Sequence, residues 1–354
     1  MPGRPDVSVL IVTYDHGDEI GACLDGALAQ TGDGLTLEVV VADNASRDDT
    51  VAHVKARAGD GVALLEMGAN PGFAAAVNAA FAASKGEHVL ILNPDCVMDA
   101  GCARALRDHL AARPGVALAA ALLHDPDGTP QLHARRDVGL AGVLWAYTTV
   151  GRRVDASRRG GRAAAARRYE DLWAGGPPRE PVAVFCPAAA CVMGRRGELE
   201  PVPLDERFPL FFNDGDLCRR LTDAGRGIEI VPAASAAHGY GTSVGRAQRA
   251  QPARMRAEWV ASLRRYAALH WSWPQRAGLT AALLADAVAT AALCLAGRED
   301  PRELRGLLGG LGLPGGPAPL LTPVRKVWAR RGPAAAAAAP GHPPAGIAPG
   351  SRHP

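Results

Sequence analysis

The sequence predicts an α/β fold in which a mostly parallel sheet is flanked by helices and followed by a C-terminal helical extension. Near-continuous apolar runs, typical of strands buried on both faces, recur at 7–12, 37–41, 62–67, 88–92 and 116–123. Apolar residues at helical spacing separate these runs, at 20–28, 73–84 and 100–112. Strands that alternate with helices imply a parallel sheet with right-handed crossovers.

The composition is that of an ordinary globular protein. Of 354 residues, 48% are hydrophobic and 21% are charged. Lys and Arg together number 39 against 36 Asp and Glu, and a net charge of +3 gives no reason to expect nucleic acid as a partner. The seven cysteines form no CxxC pair, which favours buried thiols in a reducing compartment.

The predicted organisation has three parts. Residues 1–244 form the α/β domain, interrupted by a flexible Arg-rich loop over 151–168. A helical region over 245–331 follows, and an Ala/Pro/Gly-rich tail over 332–354 is expected to be disordered. The loop is interpreted as a solvated segment, with a lid that touches phosphates as the alternative.

The helical region raises the question of a membrane. An apolar window at 279–296 has the length of a membrane span, but Asp286 interrupts it, which favours a packed or membrane-surface helix. The basic and aromatic stretch 246–273 fits two interpretations equally. One is contact with an anionic membrane surface, and the other is a packed helix with a solvated basic face.

Polar or turn-forming residues follow each of the first four predicted strands at once. They are Thr13-Tyr14-Asp15, Asp43-Asn44-Ala45-Ser46, Asn70-Pro71-Gly72-Phe73 and Asn93-Pro94-Asp95. In an open parallel sheet, ligands bind in the crevice beyond the carboxyl ends of the strands. Four such clusters therefore predict a ligand site along this edge.

Several kinds of ligand site are excluded because the sequence lacks their motifs. It contains no GxGxxG fingerprint, no Walker A loop and no GxSxG nucleophile elbow. Carboxylates and amides remain: Asp43 can accept hydrogen bonds from a base or ribose, and Asp95 can hold a divalent cation. The competing interpretation is that both aspartates only form turns or cap helices.

A second dense region covers 208–220, where an aromatic run leads into Asp-Gly-Asp at a helix start. Asp214 or Asp216 could cap the helix. A general base also needs a fixed carboxylate within hydrogen-bond reach of an attacking hydroxyl. The sequence leaves both interpretations open.

Taken together, these stretches resemble the inverting family-2 glycosyltransferases with the GT-A fold, a Rossmann-like arrangement, and especially their bacterial rhamnosyltransferase-like branch. The resemblance covers about residues 7 to 245, in the family's order. The matching segments are 7–14, 41–48, 70–78, 92–95, 205–208 and 211–218. Three departures are Asn213, where the family has glutamate, Ala189, where a glycine is common, and Asn93, where the family's DxD motif has its first aspartate.

The resemblance implies a role for each matching residue. The nucleotide-sugar pocket would be lined and walled by Thr13, Tyr14, Asp43, Asn44, Asn70, Gly72, Phe73 and Asn78. Asn93, a further nucleotide-sugar-binding residue by this resemblance, stands at the first aspartate of the family's DxD motif, and Asp95 stands at the metal ligand. His238 matches a late histidine that joins the metal or diphosphate in some members, although an ordinary packed histidine is the alternative. Asp214 falls at the catalytic base.

The function that this resemblance implies is an inverting hexosyltransferase. It would move a sugar, with rhamnose as a candidate, from a nucleotide-diphosphate donor to a glycan, lipid-linked or small-molecule hydroxyl. The expected cofactor is Mg²⁺ or Mn²⁺, and the expected setting is bacterial cell-wall, polysaccharide or glycoconjugate synthesis. The expected location is the cytoplasm, with peripheral contact to the inner face of the plasma membrane as an option.

Two rival functions compete with the glycosyltransferase interpretation. The first is a non-catalytic sugar-nucleotide-binding or assembly protein with a degenerate site, but Asp95 and Asp214 are both retained. The second is a nucleotidyltransferase, which needs a Gly-rich phosphate loop near the N-terminus. The segment 6–18 lacks such a loop.

Overall fold

The computed structural model describes residues 3–318, with gaps at 33, 132, 136–138, 150, 152, 154–175 and 240–248. The chain divides into a compact unit, Met1–Val324, and a second stretch, Arg325–Pro354, all of which lies outside the described residues. The predicted boundaries at 244/245 and 331/332 also fall outside them. So does the predicted loop 151–168, apart from Gly151 and Arg153.

The strands and helices alternate as the sequence predicts. The strands are β1 (Val7–Thr13), β2 (Leu37–Asp43), β3 (Val62–Glu66), β4 (His88–Leu92), β5 (Cys96–Met98), β6 (Val116–His124), β7 (Ala134–Arg135), β8 (Val182–Ala183), β9 (Cys186–Pro187), β10 (Cys191–Arg195) and β11 (Gly227–His238). The helices are α1 (Gly17–Leu28), α2 (Thr50–Lys55), α3 (Phe73–Ala83), α4 (Cys102–Ala112), α5 (Leu140–Ala146), α6 (Arg196–Leu199), α7 (Asn213–Asp223), α8 (Pro252–His270), α9 (Trp273–Leu295) and α10 (Pro301–Leu311).

The main sheet has the order β3-β2-β1-β4-β10-β6-β11-β5, and β8 also pairs with β11. The strands β1 to β4 are mutually parallel, as predicted. Strand β10 then runs antiparallel between β4 and β6, so the sheet is mixed at its centre. Because Cys191 pairs with Leu92, the start of β10 meets the end of β4.

Both faces of the sheet are covered, which explains why its strands read as unbroken apolar runs. On one face, Ile20 and Leu24 of α1 and Leu106 of α4 are buried against the strands. On the other, Phe81 of α3 and Leu217 of α7 are buried. Each large aliphatic side chain removed from water in this way contributes about 1.5–3 kcal/mol to folding.

Helix α7 begins four residues earlier than the predicted 217–224, at Asn213. The Asn213 amide donates a 2.8 Å hydrogen bond to the carbonyl of Leu210, which draws the preceding turn onto the helix. The predicted stop at Gly225 is confirmed. Gly225 has φ +75°, and Arg226 N–H donates to the Leu221 carbonyl over 2.9 Å, the pattern of a Schellman cap.

Helices α8, α9 and α10 pack around a further core that includes Phe208, Val260, Tyr266 and Leu283. For α8, this confirms the packed-helix interpretation. Its Trp259 ring lies 4.7 Å from the ring of Tyr147, centroid to centroid.

Helix α9 is long and apolar enough to cross a membrane by length and composition alone, and 28% of its most apolar window is buried. The charge that interrupts the window does not face outward. Asp286 is buried, and its Oδ1 accepts a 2.7 Å hydrogen bond from the backbone N–H of Thr149. The helix therefore packs through the side that carries Asp286.

Candidate active site

The carboxyl ends of the parallel strands lie side by side, which brings the predicted polar clusters together. Thr13 and Asp43 are register partners at the ends of β1 and β2. The backbone N–H of Asn44 donates to the Thr13 carbonyl over 2.9 Å. The Asn44 side chain donates to the Gly72 carbonyl over 3.4 Å, so the first three clusters form one continuous edge.

The loop after β2 is fixed by its own side chains. The Asp43 carboxylate is buried and accepts from the backbone N–H (3.0 Å) and the hydroxyl (2.5 Å) of Ser46. Ser46 Oγ in turn accepts from Asp15 N–H over 3.0 Å, and Asp15 Oδ1 accepts from Arg47 N–H over 2.7 Å. Asp15, in the loop after β1, and Ala45, in the loop after β2, both have positive φ. Such strained backbone conformations are typical of functional sites.

His16 organises the loop after β1, although no feature of the sequence singles it out. Its Nδ1 accepts from the Tyr14 backbone N–H over 3.0 Å and lies 3.3 Å from the Thr13 hydroxyl. The backbone N–H of His16 donates to the Thr50 hydroxyl over 2.8 Å. Thr13 is fully buried, whereas the Tyr14 ring is exposed, so the loop presents the tyrosine outward.

The residues around the start of α3 shape the wall of the site. Asn70 Oδ1 accepts from Gly72 N–H over 3.1 Å, and Gly72 takes φ +99°, a conformation that glycine adopts without strain. Asn78 lies deeper. Its amide donates to the Leu204 carbonyl (2.8 Å) and accepts from Leu204 N–H (3.1 Å). It therefore holds the segment that leads to α7.

Asp95 and His238, far apart in the sequence, meet at the same edge. The pairing of β5 with β11 sets His238 opposite Cys96, and Asp95 Oδ1 lies 3.6 Å from His238 Nε2. Burial lowers the pKa of His238 below its usual value, against the opposing effect of the Asp95 charge. Asn93 lies beside them, and its N–H donates to the Ala190 carbonyl at the start of β10 over 2.8 Å.

The Asp95–His238 pair fits a divalent cation. A carboxylate oxygen and a neutral imidazole nitrogen are both good ligands for Mn²⁺-like ions. In the part of the chain that the structure describes, no group of three or more His, Cys, Asp or Glu residues is arranged to hold a metal. Such an ion would need further oxygen ligands, and a substrate diphosphate together with water commonly supplies them.

Asp214 and Asp216, which the local sequence pattern leaves as alternatives, have different surroundings. Asp216 is 2% exposed, with Oδ1 2.8 Å from His270 Nε2 and Oδ2 2.9 Å from Arg220 Nε. Asp214 instead lines an apolar cleft, with Oδ1 accepting from Gly215 N–H over 2.8 Å. The other residues of the cleft are Phe73, Ile91, Leu118, Pro187, Ala189, Val192, Leu204, Leu217 and Cys218.

The turn before Asp214 is held in place by helix α8. Phe212 has φ +67° and directly precedes α7. Its ring lies 5.6 Å from the rings of both Trp259 and Tyr266 on α8. Among the described residues, the non-glycine residues with positive φ are Asp15, Ala45 and Phe212. All three border the candidate site.

Comparison with known proteins identifies the class. Residues 8–169 match the family described as glycosyl transferase family 2. The N-acetylglucosaminyl-diphospho-decaprenol L-rhamnosyltransferase of Mycobacterium tuberculosis is 30% identical over 261 residues, which cover 67% of this chain and 77% of that protein. The chain therefore belongs to glycosyltransferase family 2, and its mixed sheet flanked by helices is the GT-A fold.

Other similarities are more partial. The succinoglycan biosynthesis protein ExoO of Rhizobium meliloti is 37% identical over 91 residues, 26% of each chain, so this chain spans about a quarter of that relative. Among solved structures, the mannosyltransferase PcManGT of Pyrobaculum calidifontis, in complex with GDP-Man and Mn²⁺, is 22% identical with a TM-score of 0.46. That match covers 88% of this chain and 87% of the mannosyltransferase.

Proposed function

We propose that this protein is an inverting glycosyltransferase that moves a sugar from a nucleotide-diphosphate donor to a hydroxyl acceptor in polysaccharide or glycoconjugate synthesis. The observation that carries the proposal is the 3.6 Å approach of Asp95 to His238 at the sheet edge that also bears the predicted nucleotide pocket. The name of the mycobacterial relative supports rhamnose as the sugar and a lipid-linked diphosphate as the acceptor.

In this mechanism the protein binds the donor along the edge formed by Thr13, Tyr14, Asp43 and Asn44. Asp95 and His238 would hold a divalent cation, which as a Lewis acid offsets the charge of the departing diphosphate. The apolar side chains of Phe73 and Ala189 line the cleft beside Asp214, and such a lining would keep water away from the reacting groups.

Asp214 would act as the general base. Its carboxylate accepts the proton of the acceptor hydroxyl as the oxygen forms a bond to the anomeric carbon and the bond to the diphosphate breaks. Attack from the side opposite the leaving group inverts the anomeric configuration. Holding both substrates near attack distance supplies much of the rate, because it replaces a bimolecular encounter by a positioned one.

The direct test is release of nucleotide diphosphate by the purified full chain. The donors are dTDP-rhamnose, UDP-sugars and GDP-mannose, each with Mn²⁺ or Mg²⁺ and with a polyprenyl-diphosphate N-acetylglucosamine acceptor. We expect one donor to turn over. We expect Asp95→Ala and Asp214→Asn each to lower turnover strongly, by about 10²- to 10⁴-fold for Asp214→Asn. Asp223→Asn, on the outer part of α7, is the matched control and retains it.

Two outcomes would contradict the proposal. Donor binding by calorimetry without turnover in the presence of acceptor would favour the rival function, a sugar-nucleotide-binding protein with a degenerate site. If no donor binds, the protein is neither a glycosyltransferase of this kind nor a sugar-nucleotide-binding protein.

We also propose that α9 rests on an anionic membrane surface, where a lipid-linked acceptor would be found. Its exposed large hydrophobic side chains are Trp273 (78% exposed), Leu284 (44%), Val288 (72%) and Leu295 (91%). At 100° per residue these four lie on one face of the helix, and Asp286 lies buried on another. An apolar helix face with a terminal tryptophan is typical of helices that lie in the membrane interface.

Co-sedimentation with phosphatidylglycerol vesicles tests this contact. We expect the intact chain to bind, and Leu284→Gln/Val288→Gln to lose binding. Leu313→Gln, at an exposed leucine outside α9, serves as the control. If the intact chain instead stays in solution as a dimer that the double variant dissociates, the face is an interface between two copies and the membrane proposal is wrong.

A further inference from the structure

Gln131 is a buried side chain beside His238 whose hydrogen bonds fix its orientation. Its Nε2 donates to Asp125 Oδ1 over 2.7 Å and to the backbone carbonyl of His238 over 2.8 Å. A carboxylate and a carbonyl only accept hydrogen bonds, so the amide NH₂ must face them. The amide oxygen therefore faces the other way, 3.0 Å from His238 Nδ1.

The local sequence explains how Gln131 reaches this position. Asp125-Pro126-Asp127-Gly128 forms a tight turn directly after β6, with Gly128 N–H donating to the Asp125 carbonyl over 2.8 Å. The chain then reverses, and Gln131 N–H donates to the Leu123 carbonyl over 2.9 Å. Because β6 and β11 are parallel, with His124 opposite Ala237, the end of β11 lies next to this turn.

The orientation of Gln131 determines the tautomer of His238. An amide oxygen cannot donate, so the 3.0 Å contact requires the proton on His238 Nδ1. In the neutral ring, Nε2 then carries the lone pair, and it is this atom that lies 3.6 Å from Asp95 Oδ1. Two electron-rich atoms that face each other are favourable neighbours when a cation lies between them.

We propose that Gln131 is a positioning residue that holds His238 in the Nδ1–H tautomer and so directs Nε2, together with Asp95, toward a divalent cation. Asp125 acts one step further out by fixing the amide of Gln131. The presence of the cation rests on the proposed function. The tautomer of His238 does not, because it follows from the hydrogen bonds of Gln131 alone. Partners of this kind, which orient a metal-binding histidine through its other nitrogen, typically change metal affinity by about 10- to 100-fold.

The first experiment is ¹⁵N-resolved NMR of the histidine rings in the metal-free full chain, at a pH where His238 is neutral. We expect His238 to carry its proton on Nδ1, the form that a neutral histidine adopts less often in water. In Gln131→Met, which keeps the length of the side chain but removes the acceptor, we expect the Nε2–H form to appear. Gln30→Met is the matched control, because Gln30 is a buried glutamine that bonds Gly26 and Asp99 instead.

The second experiment is Mn²⁺ binding in the presence of UDP or dTDP, followed by electron paramagnetic resonance. We expect Gln131→Met to weaken binding about 10- to 100-fold, and Gln30→Met to leave it unchanged. An intact chain with His238 in the Nε2–H form, or unchanged Mn²⁺ affinity in Gln131→Met, would overturn the inference. An intact chain with the Nδ1–H form but no Mn²⁺ binding would count against the proposed cation and leave the role of Gln131 in setting the tautomer standing.

Discussion

His270 Nε2 lies 2.8 Å from Oδ1 of Asp216, and this hydrogen bond joins the last turn of α8 to the first turn of α7. The carboxylate is buried, and its second oxygen bonds Arg220. Asp214 lies in the same first turn of α7. The C-terminal helices therefore hold in place the helix that carries the proposed catalytic base.

His270→Ala should destabilise the protein. It should also lower turnover, although His270 itself is not proposed to contact the substrate, because it holds the helix that carries Asp214. Loss of a hydrogen bond to a buried charged group costs about 1.5–3 kcal/mol, so the urea midpoint should fall. The control is His53→Ala, because the pair of His53 with Asp49 is exposed and such pairs contribute about 0–1 kcal/mol. Equal midpoints for the two variants would contradict the role given to His270.

Asp214→Asn should lower kcat by about 10²- to 10⁴-fold, the usual contribution of a general base. The amide keeps the size of the side chain but cannot take up a proton. Donor affinity, measured by calorimetry, should be close to that of the unmodified protein, because the amide keeps the shape of the side chain and the proposed base acts on the acceptor hydroxyl and not on the donor. A variant with normal kcat would exclude Asp214 as the base.

Gly310→Ala should force α10 away from α8. A Cβ at Gly310 would lie 2.7 Å from Val260 Cγ1 and 2.9 Å from the Ala257 carbonyl oxygen. Overpacking of this kind costs about 1–3 kcal/mol, measured as the free energy of unfolding. Gly197→Ala is the control, because nothing lies within 4 Å of its Cβ position. It should leave stability unchanged or raise it.

Stability should fall on mild acidification, in part through His88. This side chain is buried in β4, and burial lowers its pKa below the usual value. In the unfolded chain it takes up a proton near pH 6.5, so below that pH the unfolded state binds more protons and the free energy of unfolding decreases. Urea unfolding at pH 7.5 and 5.5 should show a larger decrease for the unmodified protein than for His88→Asn. Parallel decreases would contradict this assignment.

The parallel half of the fold was predictable because its strands are buried on both faces, which leaves unbroken apolar runs in the sequence. The direction of β10 was not predictable, since a short apolar run carries no information about which neighbour it will pair with. Its antiparallel pairing with β4 is what brings Ala190 to Asn93.

Part of the candidate site was predictable for a similar reason. Carboxyl ends of parallel strands meet at one edge, so polar residues after each strand predict a shared site. Gln131 and His16 were missed, because each acts through one tertiary contact that no spacing reveals. The turn at Asp125–Gly128 was the available signal for Gln131, as a further polar cluster after a predicted strand.

The sequence by itself determined the alternation of strands and helices, the edge where the ligand site lies, and the presence of two carboxylates at the start of α7. The local pattern left the choice between these carboxylates open and the family resemblance pointed to Asp214, but only the tertiary structure shows how their surroundings differ. Asp214 and Asp216 are two residues apart on a helix, so their side chains point about 200° apart around its axis. Asp216 bonds Arg220 one turn further along α7 and His270 of α8, whereas Asp214 lines the cleft. The neighbours supplied by α8 and the sheet are distant in the sequence, so local spacing does not reveal them.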